Sequence, residues 1–469
     1  MNEKTCKVFT PTDVVNEMLD LIGYTSDLIN KKILENSCGT GNFLCEIVSR
    51  YIEDAKNHHL TDKEIKTGLR RDVYGIEKEA SVLRQCLDNL DAVAERYGLT
   101  GIRWNVTCED ALSLSYHDKF EYVVGNPPYI SYSNLDISTR KRIRDEFETC
   151  KEGKADYYYA FVESALNALT ADGKMAYLIP NNFMKTASAE KLREVLLPYI
   201  IELHDYRFEK LFCDKLTSSA IILCSKGKNK REFKYIDKEN KKECLVAKES
   251  LTGKWLIEGE YSDVNKTTRF GDCFKVSAPV ATLLNKAFII EDYEEKEASV
   301  FVKGLALEKE GLRVATSPKT KRKGRNNYII FPYYYEDGKL CRYTDDEFGH
   351  RFPQIKKHLQ KYRNQLKERK TDDNCKWFEY GRSQALAHMQ QEKLMLSIFI
   401  SEKVHCYRLD ENTIPYAGIY IVPKDGHTLE QAEQILKSKE FYGYISSIGI
   451  QSNGNTYRIT PSDISEYCY

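Results

Sequence analysis

Between residues 31 and 225, short apolar runs alternate with longer amphipathic stretches. The runs at 32–35, 73–77, 102–107, 120–124, 174–180, 200–208 and 219–224 have the length and bounding turn residues of strands. Residues 43–55, 79–97, 157–169 and 189–197 repeat their apolar positions at helical spacing. This alternation predicts an α/β domain with a mostly parallel sheet covered on both faces. No helical pattern separates the last two strands, so they are expected to form an antiparallel hairpin at the sheet edge.

The pattern changes after Lys226-Gly-Lys-Asn-Lys-Arg231, a charged stretch that reads either as a domain junction or as a solvated hairpin end. Beyond it, shorter runs at 328–331, 393–400 and 416–422 suggest strands, and 347–370 and 428–439 suggest helices. The expected organisation is therefore an α/β domain over 1–228 and a mixed α+β domain over 229–469. No internal repeat or extended low-complexity segment is present.

Composition narrows the picture. With 469 residues, 42% apolar and 30% charged, the chain has the make-up of a globular protein of two or three domains. No apolar stretch approaches the roughly 20 residues needed to span a bilayer. The first fifteen residues lack the apolar core of a signal peptide, so a cytoplasmic location and no membrane partner are expected. The 14 cysteines include no C-x-x-C pair and no Cys/His cluster, which predicts reduced thiols and no metal site. None follows a proline, so the Pro-Cys nucleophile of cytosine-C5 methyltransferases is missing. Net charge is zero, but residues 1–225 hold 28 Lys and Arg against 35 Asp and Glu, and 226–469 hold 42 against 35. The second half is the better candidate for a polyanion surface.

The chemistry gathers at strand ends, where open α/β sheets bind their ligands. The run 120–124 leads through Gly125 into Asn126-Pro127-Pro128-Tyr129. Prolines fix the backbone and contribute carbonyls without N–H groups. The Asn126 side-chain oxygen and the Pro127 carbonyl can therefore grip a flat amino group while Tyr129 stacks on its ring. Upstream, Glu35-Asn-Ser-Cys38-Gly39-Thr-Gly41 joins a strand to a helix, with glycines that let the backbone pass close to a ligand. A dinucleotide fingerprint would place a third glycine at 44, where Leu44 stands, so a pyrophosphate is not indicated. Glu77 ends the next strand, placed for ribose hydroxyls. Asp110-Ala111 ends the third, with a carboxylate for an adenine amino group and an N–H for a ring nitrogen.

Together with Phe9-Thr10-Pro11, Tyr159-Ala-Phe161-Val-Glu163 and Phe212 ahead of Ser219-Ala-Ile-Ile, these motifs resemble the TaqI-type adenine-N6 DNA methyltransferases over most of residues 9–225. The resemblance implies a Rossmann-like class I methyltransferase sheet, S-adenosylmethionine as cofactor, and duplex DNA as partner. It also implies a C-terminal target-recognition domain, and a cognate restriction endonuclease as the further partner to look for. By the same matches, Thr10 and Glu35 would hold the methionine end, Glu77 the ribose, and Asp110, Ala111 and Phe161 the adenine. Cys38, Gly39 and Gly41 would line the cofactor loop, and Phe212 would clamp a flipped base opposite Tyr129. One departure is that Glu77 lies farther from Gly41 than is usual, so the polar stretch 56–72 reads as an inserted loop.

In the second half, residues 317–325 carry Lys319, Lys321, Arg322, Lys323 and Arg325, which suit phosphate contacts or simple solvation. Residues 377–384 mix aromatics with Arg382 and Gln384, side chains suited to bidentate base contacts but equally to a core segment. Two other readings share the same tip. One is a methyltransferase for RNA or for a protein glutamine amide. The other is a catalytically silent DNA-recognition subunit.

Overall fold

The computed structural model describes residues 10–207, 218–227, 230–257, 267–296, 299–452 and 456–469. The chain divides into two compact units, Met1–Ile257 and Glu258–Tyr469.

The first unit is built on a nine-stranded sheet with the order β3-β2-β1-β4-β5-β7-β6-β8-β9. Its strands are β1 (Ile33–Glu35), β2 (Val73–Glu77), β3 (Asn105–Cys108), β4 (Phe120–Gly125), β5 (Leu169–Pro180), β6 (Ile200–Asp205), β7 (Ser219–Ser225), β8 (Glu232–Asp237) and β9 (Lys242–Ala247). The strands from β1 to β5 pair in parallel, and β7 runs antiparallel between β5 and β6 as expected, but this pair is not at the sheet edge, because β8 and β9 extend the sheet beyond β6. Strand order reverses between β1 and β4, which makes their carboxyl ends the switch point at which such sheets bind ligands.

Side chains alternate between two hydrophobic clusters along these strands. Ile33, Val124, Ala176, Leu178 and Ile221 face one cluster; Leu34, Val123, Met175, Tyr177 and Ile222 face the other. A strand buried on both faces reads as a continuous apolar run, which explains why the central strands were legible. Helices α1 (Thr12–Ile22), α2 (Asn42–Asn57), α3 (Asp62–Asp72) and α4 (Ala80–Arg96) cover the first cluster. Helices α5 (Ile137–Glu146), α6 (Tyr158–Ala168) and α7 (Glu190–Leu196) cover the second.

Two sequence expectations need correction here. The stretch 56–72 is not an inserted loop: the end of α2 is followed by α3, which starts on a capping box between Thr61 and Glu64 and buries Ile65, Gly68 and Leu69. Its net polarity hid a narrow apolar stripe. The boundary expected after residue 228 falls instead after Ile257. The charged stretch around 226–231 falls between two strands of the same sheet, β7 and β8, and Phe233, Tyr235, Val246 and Trp255 are buried in the core of the first unit.

The second unit is mixed α+β, as expected. One antiparallel sheet joins Phe274–Ser277, Ile419–Pro423, Lys393–Leu396 and Tyr407–Leu409. A mixed sheet joins Ile289–Ile290, Asn327–Ile330, Leu312–Thr316 and Ile414–Pro415, the last two in parallel. The single helix expected over 347–370 is three short ones, Asp345–Arg351, Pro353–Gln360 and Arg363–Lys367. Pro353 supplies no N–H and forces Phe352 out of helical geometry (φ −132°, ψ 62°), which breaks the run.

Candidate functional site

At the end of β1 the chain turns through Asn36 to Gly41 into α2. Gly39 and Gly41 both adopt left-handed backbone, with φ of +52° and +91°. A Cβ on Gly41 would lie 2.8 Å from Cys86 Sγ, whereas one on Gly39 would meet nothing within 4 Å. Gly41 is therefore glycine for internal packing, and Gly39 leaves an open face. The loop is pinned to β2: Cys38 N–H donates to the Ile76 carbonyl at 2.9 Å, and Gly39 N–H donates to Glu77 Oε2 at 3.0 Å. Glu77 Oε1 accepts from Glu79 N–H at 2.8 Å. Its carboxylate is thus fixed by the backbone on both sides, and each oxygen retains a lone pair for a further donor.

Glu35 is 2% exposed, and its Oε2 has no partner. Burial pushes this carboxyl well above the usual carboxylate range, and the Cys86 thiol and Glu77 push the same way. A buried acid of this kind is costly unless a cationic group offsets it.

The tetrad follows β4, the strand next to β1. Asn126 Nδ2 donates to Thr10 Oγ1 at 3.1 Å, Asn42 Nδ2 donates to the Thr10 carbonyl at 3.2 Å, and Ser37 Oγ donates to the Asn126 carbonyl at 3.3 Å. These bonds tie the first described residue, the glycine loop and the tetrad into one constellation. Asn126 Oδ1 is buried without a partner, and no described residue donates to the Pro127 carbonyl. The Tyr129 hydroxyl donates to the Leu178 carbonyl at 2.9 Å, and its ring packs edge-on against Tyr158 at 6.1 Å.

Asp110 heads the short turn after β3. Its Oδ1 accepts from Leu112 N–H at 3.1 Å and its Oδ2 from Arg142 Nη2 at 2.9 Å. Ala111 is buried, and Phe161 of α6 is 5% exposed with its ring 5.2 Å from that of Tyr157. Phe212 lies outside the described residues.

Seven buried side-chain polar atoms lack a partner among the described residues. Four of them, Glu35 Oε2, Asn36 Nδ2, Asn126 Oδ1 and Arg142 Nε, belong to residues at the ends of β1 and β4 or in contact with Asp110. Buried polar groups are otherwise nearly always paired, so this concentration marks the candidate site. Sequence reasoning missed Asn36, Ser37, Asn42, Tyr177 and Arg142. Tyr177, on β5, donates its hydroxyl to Asn36 Oδ1, a partnership across 141 positions that no local pattern announces. Asn36 and Asn42 flank the glycine loop and were within reach of a motif reading.

Residues 46–212 match the Eco57I restriction-modification methylase family. That match includes the tetrad. Over 94% of its length the chain is 21% identical to the type II restriction enzyme and methyltransferase RM.Eco57I of Escherichia coli, and spans 54% of that protein. It is 24% identical to the type II methyltransferase M.BstVI of Geobacillus stearothermophilus, over 96% of this chain and 87% of the relative. In fold it resembles the type IIL restriction-modification enzyme MmeI solved with DNA (TM-score 0.62, 15% identity, 97% of this chain and 64% of that one). The likeness to MmeI is one of fold and extends over nearly the whole chain.

In the second unit, Ser317 Oγ accepts from Thr320 N–H at 3.1 Å and caps the short helix Pro318–Arg322. Lys319, Arg322, Lys323 and Arg325 are exposed and Lys321 is half-buried. The aromatics near Arg382 are core: Phe378 and Tyr380 are buried, while the Arg382 side chain is exposed. Among the described residues no cluster of three or more His, Cys, Asp or Glu is placed to hold a metal, and no helix is long and apolar enough to cross a membrane.

Proposed function

We propose that this chain is an S-adenosylmethionine-dependent DNA methyltransferase of a restriction-modification system, acting on the N6 amino group of a flipped adenine. The observation that carries the reading is Asn126 Oδ1, buried and unpartnered while the other end of the same amide is held by Thr10. An acceptor fixed in this way is built for a donor that arrives from outside.

The residues of the first unit fit the cofactor. Glu35, buried with a free oxygen, suits the charged methionine end; Glu77 has lone pairs left for ribose hydroxyls; Asp110, Ala111 and Phe161 would take the adenine. When bound, the cofactor supplies an electrophilic methyl group on a sulfonium. The exocyclic amine of adenine is a poor nucleophile because its lone pair delocalises into the ring. Asn126 Oδ1 and the Pro127 carbonyl would accept its two N–H bonds and draw the nitrogen towards tetrahedral geometry. The lone pair then leaves the ring plane and is aimed for transfer. Alignment and placed dipoles do the work, and no covalent bond to the protein is needed.

The target base is out of reach inside a duplex and has to flip, with Tyr129 replacing part of its lost stacking and Phe212 proposed on the other face. The second unit, with Lys319, Lys321, Arg322, Lys323, Arg325 and Arg382, would hold the DNA. Asparagine at the head of the tetrad supports adenine N6 over cytosine N4 as the target. Methylation would protect the recognition site from a cognate restriction endonuclease. The type II relatives support this reading over RNA or protein substrates.

The test is to express the chain in a methylation-deficient bacterium, beside Asn126→Ala, and map N6-methyladenine across the genome by single-molecule sequencing. Modification at one short motif, absent in the variant, is expected. Soluble protein without any modified adenine would overturn the reading.

A further inference from the structure

Arg142 has no role in the motif reading, yet it contacts Asp110 of the proposed cofactor site. It projects from α5, which Asp136 caps through Thr139 N–H at 2.8 Å and which Ile143 (1% exposed) anchors in the core. Arg140 fastens the same helix to the segment after the tetrad by donating to the Tyr132 carbonyl at 2.9 Å. The position of the guanidinium is therefore set by a packed element.

Its Nη2 donates to Asp110 Oδ2 at 2.9 Å, and its Nε is buried with no partner. In a guanidinium, Nε–H and one Nη2–H lie on the same edge of the fork. The unpaired donor therefore points beside the carboxylate that the Nη2 holds. Asp110 keeps lone pairs after accepting from Arg142 and Leu112, and the Ala111 N–H has no partner among the described residues. The pocket thus presents a carboxylate acceptor flanked by donors. A 6-aminopurine presents the complement, an amino donor flanked by ring-nitrogen acceptors.

We propose that Arg142 is a positioning and specificity residue of the cofactor pocket, holding Asp110 for the adenine amino group and offering Nε–H to a ring nitrogen. The inference rests on the methyltransferase reading above and adds a residue to it. Neutralising Asp110 would not require Arg142, since Lys78 Nζ already lies 3.8 Å from Asp110 Oδ2. The planar fork is what a lysine cannot reproduce.

The test is calorimetric binding of S-adenosylhomocysteine and its 6-oxo analogue, S-inosylhomocysteine, to the full chain and to Arg142→Lys and Arg142→Met. Both variants are expected to weaken S-adenosylhomocysteine binding about tenfold or more, the size of one charge-assisted hydrogen bond. Discrimination against the 6-oxo analogue should narrow as well. The melting temperature of the unliganded lysine variant should match that of the parent. In steady state the cofactor KM should rise while kcat at saturation holds. An Arg142→Lys variant that binds as tightly and selectively as the parent would overturn the inference alone. A parent chain that binds neither compound would overturn the methyltransferase reading with it.

Discussion

Gly39 and Gly41 stand two residues apart in one loop, yet the structure assigns them different costs. Gly39→Ala places a methyl in open space at φ +52°, so only the left-handed backbone penalty applies, about 1–2 kcal/mol. Gly41→Ala carries that penalty at φ +91° and sets its Cβ 2.8 Å from Cys86 Sγ. Overpacking of this kind adds about 1–3 kcal/mol, for a total of about 2–5 kcal/mol. Urea denaturation, read at the transition of the first unit, should separate the two variants by at least about 1 kcal/mol. Cys86→Ala should restore part of the loss in Gly41→Ala and none in Gly39→Ala, since only the former meets the sulfur. Cofactor affinity should run the other way. Gly39→Ala keeps most of the stability but fills the open face, so S-adenosylhomocysteine binding should fall more steeply there than its stability loss suggests. Equal destabilisation by the two alanines, or no rescue by Cys86→Ala, would refute the packing argument.

Asn126→Ala should lower kcat by about a hundredfold or more, as loss of a transition-state dipole does, and leave the melting temperature nearly unchanged. Replacing Lys319, Arg322, Lys323 and Arg325 by glutamine should flatten the salt dependence of DNA binding by roughly 0.9 for each phosphate no longer neutralised, with cofactor affinity unaffected. An unchanged slope would remove this segment from the DNA interface. A third prediction concerns pH and the docking of α1. Although burial opposes it, hydrogen bonds from His204, Lys238 and Tyr206 hold the Glu17 carboxyl down at about 2. Burial also works against protonated His204, but Glu17 at 3.1 Å and Glu202 at 3.1 Å raise its pKa. The raised histidine stabilises fully below about 6.5 and loses that contribution as pH climbs through its folded value. The depressed glutamate stabilises above about 4.5 and loses its contribution as pH falls towards 2. Stability of the first unit should therefore be greatest between about 4.5 and 6.5, and Glu17→Gln should flatten the acid limb. An acid limb identical in Glu17→Gln and the parent would refute the assignment.

The central sheet was legible because its strands are buried on both faces. Ile33-Leu34 and Val123-Val124 send successive side chains into two separate cores, so each strand reads as an unbroken apolar run. The helices that failed were those whose burial is narrow or interrupted: α3 shows only Ile65 and Leu69 as large apolar core residues, and Pro353 cuts a continuous-looking pattern. The misplaced domain boundary has a different cause. A turn rich in Lys and Arg looks the same whether it joins two domains or two strands of one sheet, and only the burial of Phe233 and Trp255 distinguishes them.

The site divides along the same line. Glu35, Glu77, Asp110 and Asn126 were legible because a parallel sheet places the carboxyl ends of its strands along one edge, so a polar residue that ends a strand in the sequence falls at that edge in the fold. Tyr177 and Arg142 were not. Each acts through a partner fixed by tertiary structure: Tyr177 reaches Asn36 from β5, and Arg142 reaches Asp110 across 32 positions from a helix of low amphipathicity. Sequence order locates the residues that a ligand would meet at the sheet. The side chains that aim those residues, and the unpaired Nε–H of Arg142 with them, come from elements whose approach is decided by packing.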